Sequence, residues 1–144
     1  MGEYKNSIAI VPCSGIGKSF GSVSREAAYE LCENLCPEDT QIVALSKLVL
    51  GDDDAKKCII KNSAITIDGC KLMCAAKMVK QSGGTIVQEM TVLDVYRQHK
   101  ELKPEGIAEL NEPGKQLAHE IAKEIAIKID EIKRKKAAKG ENHA

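Results

Sequence analysis

The sequence predicts an α/β fold, with a three-layer, mostly parallel four-stranded sheet of Rossmann-like or flavodoxin-like type and a long C-terminal helix. Three observations lead there. Apolar runs of strand length recur, rich in β-branched residues and nearly continuous, as in parallel strands buried on both faces. Helical patterns of crossover length separate them. The two alternate strictly as β-α-β-α-β-α-β, which suits a parallel sheet with helices on both sides.

Each element has its own signal. The first strand is expected over Ile8–Val11, followed by a helix from about Ser24 to Leu35, where Ala27, Ala28, Leu31, Cys32 and Leu35 form one apolar stripe. A second strand is expected over Ile42–Leu45. The second helix begins after Gly51, where Asp52, Asp53 and Asp54 supply a cap and complement the dipole, and runs toward Lys61. The third strand is expected over Ala64–Ile67, and the third helix from near Cys70 to a left-handed stop at Gly83-Gly84. The fourth strand covers Ile86–Val87, with a continuation toward Leu93. Prolines at 104 and 113 then punctuate short pieces. Pro113 opens a long helix whose stripe is Leu117, Ala118, Ile121, Ala122, Ile125, Ile129 and Ile132. Lys133–Lys136 and Lys139 complement the dipole at its far end and read as a solvated, fraying terminus. Residues 1–139 are expected to form a single domain, with 140–144 a disordered tail.

Composition narrows the function. The 144 residues carry 21 basic and 21 acidic side chains, so no net charge draws the chain toward nucleic acid or an anionic membrane. Only 3% of residues are aromatic, which removes base-stacking platforms. No apolar run approaches the roughly 20 residues that span a bilayer. The polar start MGEYKN lacks the apolar region of a secretory signal, and Asn6 stands where a myristoylation signal wants Ser or Thr. A cytoplasmic protein without nucleic-acid or membrane partners is expected. In a reducing compartment, six cysteines (13, 32, 36, 58, 70 and 74) point to metal ligands or reactive thiols before disulfides. Cys32 and Cys58 fall on helical stripes and read as packing residues. His99, His119 and His143 have no ligand spacing to one another.

The stretch VPCSGIGKSF joins the first strand to the first helix, at the sheet edge where ligands of open α/β folds collect. It is not a nucleotide loop. Counting back from Gly17-Lys18-Ser19 places Pro12 where the phosphate cradle needs its first glycine. Nor is it a phosphatase loop, because Ser19 stands where an arginine would clamp the phosphoryl group. What remains is Cys13 at a strand end near a helix N-terminus, with Lys18 close by, both of which favour thiolate. A second stretch, TIDGCKLMC, repeats the arrangement with Cys70 and Cys74. Spaced i, i+4 on one helical turn, these two could chelate a tetrahedral zinc, and Cys13 approaches them if the first and third strands are neighbours. Asp68 would orient a cysteine or cap the helix through the Gly69 and Cys70 N–H groups.

Pro12-Cys13-Ser14-Gly15-Ile16-Gly17-Lys18, then Gly51-Asp52, then Ile67-Asp68-Gly69-Cys70 followed by Cys74, resemble the small prokaryotic proteins named for their DGC motif, to which zinc binding is ascribed. The likeness runs in order from Cys13 to about Val95. The stretch LKPEGIAEL at Leu102–Leu110 looks like that of longer members. The resemblance implies an α/β domain with a cysteine-rich zinc site and ligands Cys13, Cys70 and Cys74. Members usually carry a further cysteine near the end of the second strand, where this chain has Ala44. Either Cys36 or a non-cysteine group then completes the tetrahedron, or the fourth position is open to water or a ligand. The alternative function is a thiol-dependent enzyme or sulfur carrier with Cys13 as reactive thiolate and the CxxxC pair as resolving thiols. Its weakness is that CxxxC is not the CxxC of thioredoxin-like redox proteins.

Overall fold

A computed structural model describes residues 4–13, 18–69 and 72–142. Four parallel strands, β1 (Ile8–Pro12), β2 (Thr40–Ile42), β3 (Ala64–Asp68) and β4 (Ile86–Thr91), lie in the order β2-β1-β3-β4. Helices cover both faces, so the expected three-layer α/β class and the expected β1–β3 adjacency both hold. Period-2 alternation in β1 divides the core: Ile8 and Ile10 face one way, Ala9, Val11 and Cys13 the other.

The first face is covered by α1 (Ser19–Glu30), α5 (Val92–Gln98) and α6 (Glu112–Asn142). The stripe read from the sequence of α6 is the buried one: Leu117, Ala118, Ile121, Ala122 and Ile125 are fully enclosed. α6 continues through Asn142, into the segment expected as a tail, while residues 143–144 lie outside the described part. The second face is covered by α2 (Leu45–Leu50), α3 (Asp53–Lys61) and α4 (Cys74–Gln81). The chain leaves β1 for β2 on one side of it and later reaches β3 on the other. Right-handed crossovers then require the two connections to lie on opposite faces, as found. The chain reverses direction across the sheet between β1 and β3, whose carboxyl ends define a topological switch point.

Several boundaries differ from the sequence reading. Helix α1 starts at Ser19, five residues early, because Gly21 is accepted in its first turn, and it widens into a π-helical turn at Leu31–Leu35 closed by Cys36 N–H to Leu31 C=O (2.7 Å). Strand β2 ends at Ile42. The run expected as strand to Leu45 instead bends at Ala44 and begins α2, with Leu45 and Leu48 buried one helical turn apart. A short apolar run does not distinguish strand from helix by itself. α3 has the expected cap, Asp52 accepting from Ala55 N–H (2.9 Å), and the expected left-handed stop after α4 is Gly83. α4, however, begins at Cys74 and not near Cys70. Among the described residues no helix is long and apolar enough to cross a membrane.

Candidate metal centre

The switch point is where the sequence motifs meet. Cys13 extends the β1 ladder, donating its N–H to Ile67 C=O (2.8 Å), which places it beside Asp68. Its sulfur is buried and doubly held: Gly69 N–H donates to Sγ (3.2 Å) and Ser24 Oγ lies 3.3 Å away. Ser24, fully buried on α1, also donates to Gly21 C=O (2.7 Å). Gly69 packs closely here: a Cβ there would stand 3.2–3.4 Å from the backbone and Cβ of Phe20 and the N of Gly21, which would have to give by a few tenths of an ångström. β3 therefore meets the start of α1 through glycine on both sides.

Asp68 takes the capping role, through different donors from those expected. Its buried carboxylate accepts from Ala75 N–H (2.7 Å) and Ala76 N–H (3.2 Å), in the first turn of α4. Burial raises the Asp68 carboxyl above its ordinary value, while the two N–H bonds pull against that rise. Asp68→Ala is expected to cost about 2 kcal/mol by stranding both donors. Asp68→Asn, which keeps an acceptor and removes a buried charge, should cost clearly less. Denaturant midpoints at neutral pH compare the two, and equal losses would refute the capping role.

Cys13, Cys74, Lys18, Asp68 and Gly69 all line one cleft of about 630 Å³. Cys74, exposed, is the first residue of α4, and Met73 before it holds a left-handed φ of 55°, the one such non-glycine residue among those described. Cys70 lies outside the described residues. Because α4 starts at Cys74, the shared helical turn expected to pair it with Cys70 is not supplied by that helix. Residues 14–17 of the opening loop also lie outside the described part, whereas Lys18 is extended and exposed where α1 starts.

Cys36, the candidate fourth ligand, lies away from the carboxyl edge where Cys13 sits. It precedes β2 at the amino edge of the sheet, where Asp39 C=O accepts from Ile8 N–H (3.0 Å). Five extended residues separate Ile8 from Cys13, about 16 Å. Burial, and the carboxylates of Asp39 and Asp130, raise the Cys36 thiol. Cys58 is a core residue and Cys32 packs half-buried against the core, as read from their stripes. Among the described residues no three His, Cys, Asp or Glu side chains are grouped to hold a metal ion.

The sequence reading missed Ser24 and the far wall of the cleft, Pro104–Ile107, which belongs to a strap between α5 and α6. Ser22 Oγ donates to Ile107 C=O (2.6 Å), Leu110 is buried in the core, and the Asn111 side chain bridges strap and helix by accepting from Glu105 N–H (3.0 Å) and Gly114 N–H (2.9 Å). A buried serine among the alanines of α1 was the available signal for Ser24. The strap was signalled by its punctuating prolines and by the LKPEGIAEL stretch, Leu102–Leu110, though neither placed it against the cysteines.

Cys13 is buried and lines the cleft, whereas Cys74 is exposed. In metal-free protein iodoacetamide should therefore modify Cys74 before Cys13, as read by peptide mass mapping over time. Faster labelling of Cys13 would contradict its burial.

An open parallel α/β domain with thiols gathered at its switch point is the class that fold and site define. A family model described as the DGC domain matches residues 9–113, well over half of the chain, and the chain belongs to that family. The match spans β1 through the strap and ends where α6 begins. Neither a comparison with curated proteins nor one with solved structures returned a match.

Proposed function

We propose that this DGC-domain protein binds zinc through Cys13, Cys70 and Cys74 at the carboxyl edge of the sheet. The observation that carries the reading is that the Cys13 and Cys74 thiols line one cleft at the switch point, with Cys70 in the connection that joins β3 to α4. The donor set suits the metal, since thiolates are the ligands zinc takes most readily in structural sites. The Gly69 N–H and Ser24 hydroxyl at the Cys13 sulfur are the outer-shell bonds that orient a ligating thiolate. Asp68 supports the site by fixing the start of α4, each of its oxygens accepting from one α4 N–H group.

Cys13, Cys70 and Cys74 would hold the zinc, which would supply Lewis acidity toward a molecule in the cleft. The chain's own residues set the Cys13 sulfur, fix the start of α4 and wall the site from solvent along the strap. The test is metal content by mass spectrometry on protein purified without a histidine tag, where one zinc per chain is the expected result and a metal-free protein refutes the reading.

A second reading, a thiol-dependent enzyme or sulfur carrier using Cys13, draws on the size of the cleft, which exceeds what an ion needs. Loss of a Cys13-dependent thiol reaction on adding zinc would separate the two.

A further inference from the structure

We propose that Cys32 and Cys36 form a reversible disulfide at the amino edge of the sheet, a thiol–disulfide switch a strand length away from the cleft. Neither thiol belongs to the zinc site, so the proposal stands apart from that reading. Cys32 lies in the widened turn that follows α1, and Cys36, four residues on, is the cap of that turn. Both are free and part-exposed, and both meet one side chain: the Thr40 hydroxyl donates to Cys36 C=O (2.7 Å) and also bonds the Cys32 thiol. The thiols are near enough that a charge on Cys36 opposes a charge on Cys32. The turn itself is unusual. A regular α-helix would join Cys36 N–H to Cys32 C=O, whereas here it donates to Leu31 C=O (2.7 Å), a π-type widening of the kind that often marks a functional site.

Residues four apart on a helical turn have Cβ atoms about 5–6 Å apart, and a disulfide needs about 3.5–4.5 Å, so closure asks for a shift of about 1–2 Å. Cys36 can supply it. It stands past the helical residues, with φ −137° and ψ 52°, and Glu33, Asn34 and Leu35 before it are exposed. Pro37 after it has no N–H to tie it to a neighbour. Burial is the largest influence on both thiols and raises them, while Lys5 beside Cys32 and Lys133 beside Cys36 work against the rise. A reduced pair held as thiols lacks the thiolate stabilisation that makes a disulfide strongly oxidising, so the bond, once formed, is a stable one. The oxidant is a small-molecule disulfide, RSSR. Cys36, the less enclosed thiol, attacks one of its sulfurs as the thiolate and expels RS⁻. The Cys32 thiolate then attacks the Cys36 sulfur of the mixed disulfide and expels the second RS⁻. The two protein protons end on those anions, so RSSR is reduced by two electrons to two RSH while the cysteine pair is oxidised to one disulfide.

The experiment equilibrates the full chain with reduced and oxidised glutathione at a series of ratios, traps free thiols with N-ethylmaleimide, and maps tryptic peptides by mass. Cleavage after Arg25 and Lys47 leaves Cys32 and Cys36 as the two cysteines of the peptide Glu26–Lys47. Cleavage after Lys57 and Lys61 leaves Cys58 by itself, an internal reference whose thiol burial also raises. The expected product is a Glu26–Lys47 peptide without label and lighter by two hydrogens. Its oxidised-to-reduced ratio should be at least ~tenfold that of Cys58, because the second attack is intramolecular. Dithiothreitol should restore both labels. In Cys32→Ser and in Cys36→Ser the remaining cysteine should fall to the level of Cys58, as a glutathione adduct or a labelled thiol. A wild-type peptide that keeps both labels across the series, that carries glutathione in place of the internal bond, or that oxidises no further than Cys58 overturns the proposal. The wild-type peptide is read directly, so the result does not depend on how well either serine variant folds.

Discussion

Zinc is expected to be lost from Cys13→Ser, Cys70→Ser and Cys74→Ser, each singly, and retained in Cys36→Ser. A serine hydroxyl keeps its proton at neutral pH and cannot replace a thiolate on the metal. Removing a direct ligand should lower affinity by more than the ~10–100-fold that outer-shell changes typically cost. The Cys36 control follows from the tertiary structure: its thiol lies at the amino edge of the sheet, where Cys36 C=O accepts from the Thr40 hydroxyl (2.7 Å), a strand length from Cys13. Metal content measured after dialysis against a weak chelator reads all four variants. Loss of zinc in Cys36→Ser would show that the metal sits elsewhere, and its retention in the Cys74 variant would remove α4 from the site.

Gly106→Ala is expected to destabilise the protein by about 3 kcal/mol, the sum of left-handed backbone strain and a steric conflict. Gly106 has φ 96°, and a Cβ added there would stand 2.1 Å from the Glu109 carbonyl oxygen, a backbone atom with no rotamer to yield. The strap must shift, pulling Ile107 C=O from the Ser22 hydroxyl and opening one wall of the cleft. Gly83→Ala is the matched control. Its φ is 90°, yet the nearest atoms to the added Cβ are 3.7 Å away on the flexible Ile60 side chain. That variant should lose about 1 kcal/mol, the conformational cost alone. Urea unfolding of the two measures the difference, and equal losses would show that the strap relaxes freely around residue 106.

The alternation of apolar runs and helical stripes by itself determined the α/β class, because a segment buried on both faces must be apolar throughout and a helix covering it must be apolar on one side. The same local rule found the α6 stripe, the Asp52 cap and the Gly83 stop, each set by residues within a turn or two of one another. Local pattern also brought Cys13 and the Asp68-Gly69 turn to one sheet edge, since both end apolar strands. Distances between segments were a different matter. Ala44-Leu45 turns from strand to helix because Leu45 and Leu48 find a core to enter on the α2–α4 face, which no run of four apolar residues announces. α4 begins at Cys74 because Asp68, six residues earlier and in another element, caps Ala75 and Ala76. Cys36 was eligible as a ligand on chemistry, and the fold sets it at the opposite edge of the sheet from Cys13, a strand length away. Ser24 reaches the Cys13 sulfur, and Ile107 the cleft wall, only because β1, α1 and the strap converge there, a convergence fixed by long-range packing and hydrogen bonds that no local sequence window contains.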